Sequence, residues 1–186
     1  MEQTVVLIKP DGVKRGLIGE IIHRFERMGL KIVAMKMVVP TQELLHEHYG
    51  TNREETIERL GKKTLASYEQ FGKDAKKELG TDDPKELGKM VVEWLINYVS
   101  SGPVIAILLE GRHAVENAIH LAGSTMPVQA LPGTIRGAFS TDSAAYANDE
   151  KRGVSNLIHI SGSTEEANFE KNLWFKPEEI MSYKKA

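Results

Sequence analysis

Four short apolar runs are the only strand candidates in this chain of 186 residues, and they limit its architecture more than any other feature. Thr4 to Ile8 is a β-branched run that closes on Pro10, Asp11 and Gly12, so it reads as a buried strand entering a turn. Leu30 to Val39 alternates apolar and polar residues, as a half-buried strand does. Val104 to Leu109 is the most apolar of the four, and Leu157 to Ile160 is the shortest. Helical spacing fills the intervals. Ile18, Ile21, Ile22 and Phe25 share one face of a helix that Gly29 stops, and a short helix over Glu43 to Tyr49 follows the second strand. Ala114 to Ala122 is helical, and Ser163-Thr164-Glu165-Glu166 reads as a capping box opening a helix through Lys171. Leu131 to Ser140, with Pro132, Gly133 and Gly137, reads as loop, and Pro177 to Met181 as a last short helix.

Strand, helix, strand, helices, strand, helix, strand, helix makes two βαβ-like halves sharing one sheet. Four strands are too few for a long doubly wound sheet. The pattern predicts an α+β fold, a ferredoxin-like sandwich with a four-stranded antiparallel sheet and helices on its face. Residues 1–186 form one domain in this reading. Gly50 to Lys89 differs in character: it is rich in Lys and Glu, with helical segments broken at Gly61, Gly72 and Gly80. It reads as a helical, charge-rich insertion of solvated surface helices. Thr81-Asp82-Asp83-Pro84 then starts a helix with Val91, Val92, Leu95 and Ile96 on one side.

Composition excludes several chemistries. There is no cysteine, hence no disulfide, thiolate metal site or cysteine nucleophile. The 24 basic and 26 acidic side chains give a net charge of −2, without the basic excess that nucleic-acid binders show. No apolar run approaches the roughly 20 residues of a membrane helix, and the apolar stretch near Met1 is short for a signal peptide. The expectation is a cytoplasmic protein with neither nucleic-acid nor membrane partners. The sequence contains no Gly-rich phosphate loop of either common type and no spaced zinc-ligand set.

Of six histidines, His23, His46, His48 and His113 lie among charged residues and read as surface, whereas His120, between Ile119 and Leu121, reads as partly buried. His159 ends an apolar strand just before a helix N-terminus, a position that favours anions. Glu170, eleven residues on, is placed to turn back toward the ring. Taken alone, His159 reads equally well as a structural histidine. Lys9, at a strand end before a rigid turn, is a plausible phosphate ligand. Arg136, in Pro132-Gly133-Thr134-Ile135-Arg136-Gly137, suits planar recognition of phosphate oxygens, or equally a surface ion pair.

Together and in order, IKPDGVKRGLIGEIIHRFE, SGPVIAILLEG, PGTIRG and NLIHISGSTEEA with LWF resemble the nucleoside diphosphate kinase family. The resemblance spans the chain apart from Gly50 to about Lys89 and the loop Ser140 to Val154. It implies ping-pong transfer of the γ-phosphate of a nucleoside triphosphate to a nucleoside diphosphate through a phosphohistidine, with Mg²⁺ bound with the nucleotide, maintaining triphosphate pools. By resemblance His159 is the nucleophile, Glu170 orients its ring with Ser161 nearby, and Lys9 and Arg136 clamp phosphates. Tyr49 braces the site, Asn156 and Thr125 contact ribose and phosphate, and Val92 stands where the family stacks a phenylalanine on the base. No metal ligand from the protein is implied. ATP and other nucleoside tri- and diphosphates are the implied partners, with self-assembly into a homo-oligomer, a hexamer or tetramer. The chain departs from the family pattern at Ile119, where an arginine is usual, and at Ala138, Ile160 and Gly162. Arg59, Lys62 or Lys63 of the insertion is a candidate replacement for the missing cation. Two other functions fit parts of the pattern: a nucleotide-binding regulatory module with negligible turnover, and a ferredoxin-like sensor of a small ligand.

Overall fold

The computed structural model describes residues 1–184. In chain order its elements are β1 (Glu2–Ile8), α1 (Pro10–Lys14), α2 (Ile18–Arg27), β2 (Lys31–Val38), α3 (Gln42–His48), α4 (Glu54–Gln70), α5 (Ala75–Leu79), α6 (Pro84–Ser100), β3 (Val104–Gly111), α7 (Ala114–Ala122), α8 (Ile135–Phe139), α9 (Ala144–Asp149), β4 (Ile158–Ile160) and α10 (Thr164–Trp174). They separate into two compact units. The first comprises Met1–Val39, Gly102–Thr141 and the chain from Asn156 onward; the second comprises Pro40–Ser101 and Asp142–Ser155. No helix among the described residues is long and apolar enough to cross a membrane.

The first unit holds the sheet, four antiparallel strands in the order β2-β3-β1-β4, as the α+β ferredoxin-like reading requires. Period-2 alternation sorts its residues between two faces. Val6 and Ile8 of β1 join Ile105, Ile107 and Leu109 of β3, Ile21 and Phe25 of α2 and Ala114 and Ala118 of α7 in one buried cluster. Val5, Leu7, Ala106 and Leu108, equally buried, point the other way. α10 packs against β1. Leu7 pairs with His159 in the register, so His159 lies on the Val5–Leu7 face.

β2 is an edge strand with a bulge between Ile32 and Ala34. The C-terminal segment caps it: Met181 N–H donates to the carbonyl of Val33 at 2.7 Å and the Tyr183 hydroxyl to that of Ile32 at 2.6 Å. Beyond the bulge Met35, Met37 and Val39 are more than half exposed.

The second unit is helical. Gly72 and Gly80 do break its helices, with φ of 64° and 86°, but Gly61 does not: α4 runs straight through it. The reason is a close crossing of α4 on α6. A Cβ on Gly61 would sit 1.7 Å from the Pro84 carbonyl oxygen, and one on Gly88 2.0 Å from that of Ile57. Backbones this close require glycine on both helices, so Gly61 serves packing rather than termination. Asp83 caps α6 by accepting from Lys85 and Glu86 N–H, as its position before Pro84 predicts. Lys85 pairs with Glu54 and Lys73 with Asp149.

Three further expectations need correction. Leu131 to Ser140 is not all loop, because Thr134 accepts from Gly137 N–H and starts α8. Residues 144–149 form α9, capped by Ser143. The histidine burials are reversed: His48 is buried, three residues from Leu45 on the inward stripe of α3, while His120 is exposed because the inward stripe of α7 is Ala114, Val115, Ala118 and Ala122.

Candidate active site

The site in the first unit begins with strand parity. Val5, Leu7 and Lys9 fall on one side of β1 and its extension, and Lys9 keeps an extended backbone, φ −77° and ψ 167°, as the N-cap of α1. Pro10 fixes the first helical position, so the chain turns immediately after Lys9. The Lys9 ammonium is thereby buried, and it donates to Asn156 Oδ1 at 2.7 Å. Asn156 in turn donates from Nδ2 to the Thr125 carbonyl at 3.1 Å.

On neighbouring β4, His159 Nε2 contacts Glu170 Oε1 at 2.7 Å. The other carboxylate oxygen, Oε2, accepts from Ser161 Oγ at 2.6 Å, and that hydroxyl accepts from Val5 N–H at 3.1 Å. Glu170 and Ser161 are wholly buried. Ser163 caps α10 by accepting from Glu166 N–H, while the Glu166 side chain reaches Gly162 N–H rather than the cap itself. α10 continues past Lys171 to Trp174, and Glu170 stands two turns inside it, aimed back at β4.

Arg136, on α8, is 7% exposed. Its Nη1 donates to the Gly123 carbonyl at 2.7 Å, Nη2 to that of Ile158 at 2.8 Å and Nε to that of Asn156 at 3.1 Å. The guanidinium therefore splints the backbone on both sides of Leu157, in addition to placing its charge beside Lys9 and His159.

Burial and these charges set the protonation states. Burial pushes the His159 imidazole down to about 3, with Lys9 and Arg136 reinforcing the shift. The ring is therefore neutral near pH 7, and its contact with Glu170 is a hydrogen bond rather than the ion pair that its distance alone would suggest. Glu170 Oε1 is an acceptor, so Nε2 carries the proton and the ring's lone pair lies at Nδ1. Burial also lowers Lys9 to about 7, assisted by Arg136 and opposed by Asp11. The site is thus a buried, electron-deficient cradle around a neutral imidazole.

Lys9, Asn156, Arg136, His159, Ser161 and Glu170 come together as the sequence suggests. Thr125 contributes its backbone carbonyl and is otherwise exposed. Tyr49, the C-cap of α3, and Val92, buried on α6, belong to the second unit, as do Arg59, Lys62 and Lys63 of α4. Lys62 pairs with Glu58 one turn back at 2.6 Å, which fits a solvated helical face. Ile119 is 40% exposed. The sequence reading missed Asp11, whose Oδ2 accepts from Leu157 N–H at 3.0 Å across 146 positions of sequence.

The nucleoside diphosphate kinase family model matches residues 2–62 and 84–180, leaving 63–83 outside it. The chain is 45% identical over 181 residues to a nucleoside diphosphate kinase of Pyrobaculum aerophilum, covering 97% of this chain and 98% of that protein. A crystal structure of an NDP kinase from that organism superposes with a TM-score of 0.93 at 44% identity, covering 97% and 99% of the two chains. A nucleoside diphosphate kinase of Borrelia burgdorferi, a transition-state mimic with bound vanadate and ADP, superposes with a TM-score of 0.78 at 35% identity, covering 99% and 92%. The chain belongs to the nucleoside diphosphate kinase family, enzymes that move a phosphoryl group between nucleotides.

Proposed function

We propose that His159 Nδ1 takes the γ-phosphoryl group of a nucleoside triphosphate and returns it to a nucleoside diphosphate. The observation carrying this reading is the chain Ser161–Glu170–His159, which places the ring proton on Nε2 and the lone pair on Nδ1. In the first half-reaction the Nδ1 lone pair forms a bond to the γ-phosphorus. The bond from that phosphorus to the bridging oxygen breaks, and its electron pair leaves with the diphosphate. No proton needs to be removed first, because Nδ1 carries none. As the ring becomes cationic, Glu170 stabilises it through Nε2–H. The second half-reaction reverses these steps on another nucleotide. Lys9 and Arg136 offset charge on the transferred oxygens, and Asn156 and Thr125 serve ribose and phosphate.

Mg²⁺ belongs to the nucleotide in this reading. Glu170 uses both carboxylate oxygens on His159 and Ser161, and Asp11 commits Oδ2 to Leu157, so the carboxylates of this site suit a metal carried on substrate phosphates. Incubation with ATP and Mg²⁺ should add one phosphoryl mass, labile in acid; an unchanged mass would leave nucleotide binding without transfer.

The low value at Lys9 gives a linkage test. Phosphate oxygens favour the ammonium form, so ADP binding raises the Lys9 pKa above about 7 and takes up a proton wherever the free site is deprotonated. At pH 8.5, calorimetry of ADP binding in buffers of different ionisation enthalpy should show uptake approaching one proton per site. Uptake should vanish at pH 6 once the nucleotide's own ionisation is subtracted, and in Lys9→Met at both pH values. Equal heats in all buffers at pH 8.5 would refute the role of Lys9.

A homo-oligomer fits the edge strand. β2 is an edge strand that exposes Met35, Met37 and Val39, while the C-terminal segment bonds the backbone of Ile32 and Val33 at its bulged end. Light scattering should give a multiple of 20.7 kDa, and Met35→Lys with Met37→Lys should shift it toward that value. An unchanged assembly would place the interface elsewhere.

A further inference from the structure

We propose that Asp11 is a positioning residue for phosphoryl transfer, holding Leu157 in a turn that fixes Lys9, Asn156 and His159 relative to one another. This rests on the reading of His159 as the group that takes the phosphate. Leu157 has φ of 69°, a region that residues with a Cβ rarely occupy. Ile158 N–H donates to the Asn156 carbonyl at 2.8 Å, which closes a three-residue γ-turn around Leu157. The positive-φ form of this turn is the rare, strained one. Glycine would adopt it without strain, but the Leu157 side chain is fully buried in the main cluster with Ile8 and Ile21. The side chain is thus anchored in the core while the backbone needs outside support.

Arg136 holds the carbonyls that flank the turn, and one short segment holds the polar groups of Leu157 itself. Asp11 Oδ2 accepts Leu157 N–H at 3.0 Å, and the Leu157 carbonyl accepts Lys9 N–H at 2.7 Å. The Lys9-Pro10-Asp11 corner therefore grips both backbone polar groups of the strained residue. Gly12 permits the approach, since a Cβ there would meet the Leu157 oxygen at 3.3 Å and Ile8 Cγ2 at 2.9 Å. On either side of the turn lie Asn156, which holds the Lys9 ammonium, and Ile158-His159, which presents the imidazole. Release of Leu157 N–H lets the turn relax toward negative φ, and that rotation swings Asn156 and the start of β4 apart. Strain held at a site by its surroundings is a recognised means of setting geometry. Asp11 reaches none of the reacting atoms in this scheme; it acts through Leu157.

The test compares Asp11→Ala, which removes the acceptor, with Asp11→Asn, whose amide oxygen still accepts from Leu157 N–H. Quenched single-turnover mixing with Mg-ATP gives the rate of phosphoenzyme formation, and calorimetry gives the Kd for ADP. Asp11→Ala should slow phosphoenzyme formation by roughly 10- to 100-fold, the effect of misplacing reacting groups by about 1 Å. Its Kd should stay within a few-fold of wild type, and Asp11→Asn should recover most of the rate. If Asp11→Ala does not fold, Asp11→Ser, too short to reach Leu157, is compared with Asp11→Asn in its place. A wild-type rate in Asp11→Ala, a loss confined to Kd, or a loss that Asp11→Asn does not restore overturns the proposal. Fragmentation of the wild-type phosphoprotein keeps the two questions apart. Phosphate on another residue removes the His159 reading and this inference with it; phosphate on His159 with an unaffected Asp11→Ala removes the inference alone.

Discussion

His159→Ala should bind ADP and transfer nothing, with turnover down by at least about 10⁴-fold, as in enzymes that lose their nucleophile. The substitution also strands Glu170 Oε1, a buried acceptor, at a stability cost of about 1–3 kcal/mol. His159→Gln separates the two effects, because its amide can still donate to Glu170. It should melt closer to wild type and be just as inactive. Intact mass after incubation with Mg-ATP reads the chemistry directly, and a phosphorylated His159→Gln protein would show that another residue carries the group. The pH dependence follows from the same burial. With the folded imidazole lowered to about 3 and the unfolded ring near its ordinary value, the unfolded chain binds more protons between these values. Stability therefore falls as pH drops from about 6.5 toward 3. Titration of His159 should add no inflection near 6.5 to the phosphoenzyme rate, because the folded ring is already neutral there, whereas Lys9 titrates near 7 in the free site; a midpoint at 6.5 assigned to His159 would contradict the desolvated site.

Much of this site was legible because its residues sit where local rules place them. A β-branched run ending at Lys9-Pro10-Asp11 fixes both strand and turn, and strand parity then sets Lys9 on the side of Leu7, opposite His159 in the register. Ser163 signalled the helix that delivers Glu170. What sequence hid was contact over long range. Gly61 looks like a breaker because local propensity does not know that α6 crosses there at backbone distance. Asp11 looks like an ordinary turn residue, since its partner lies 146 positions away, just before β4, and the partner's positive φ has no glycine to announce it. Arg136 was legible as a cation held by a constrained loop, but not as a splint for three carbonyls.

That dual use gives Arg136 the second large effect. Arg136→Ala leaves the carbonyls of Gly123 and Ile158 without their donor, while that of Asn156 keeps only Ile158 N–H. At about 1–3 kcal/mol for each stranded group, and with water recovering part of the loss at half-buried Gly123, a net cost of about 2–4 kcal/mol follows. For a chain of this length that lowers Tm by roughly 5–15 °C. Arg136→Lys should recover little, since one ammonium cannot span carbonyls that the flat guanidinium reaches from three nitrogens. Activity should fall further than stability explains. In the proposed mechanism Arg136→Ala loses a charge that faces the phosphoryl group, worth about 2–4 kcal/mol in the transition state, and the splint that keeps Asn156 and Ile158 on either side of the strained Leu157 is lost as well. The two roles separate in the lysine variant, which keeps the charge and loses the splint. If charge dominates, Arg136→Lys has a near-normal kcat at a temperature where it is still folded. If the splint dominates, its kcat falls with that of Arg136→Ala. The three carbonyl contacts favour the second outcome, and an Arg136→Ala protein that melts with wild type would show that those carbonyls do not depend on the guanidinium.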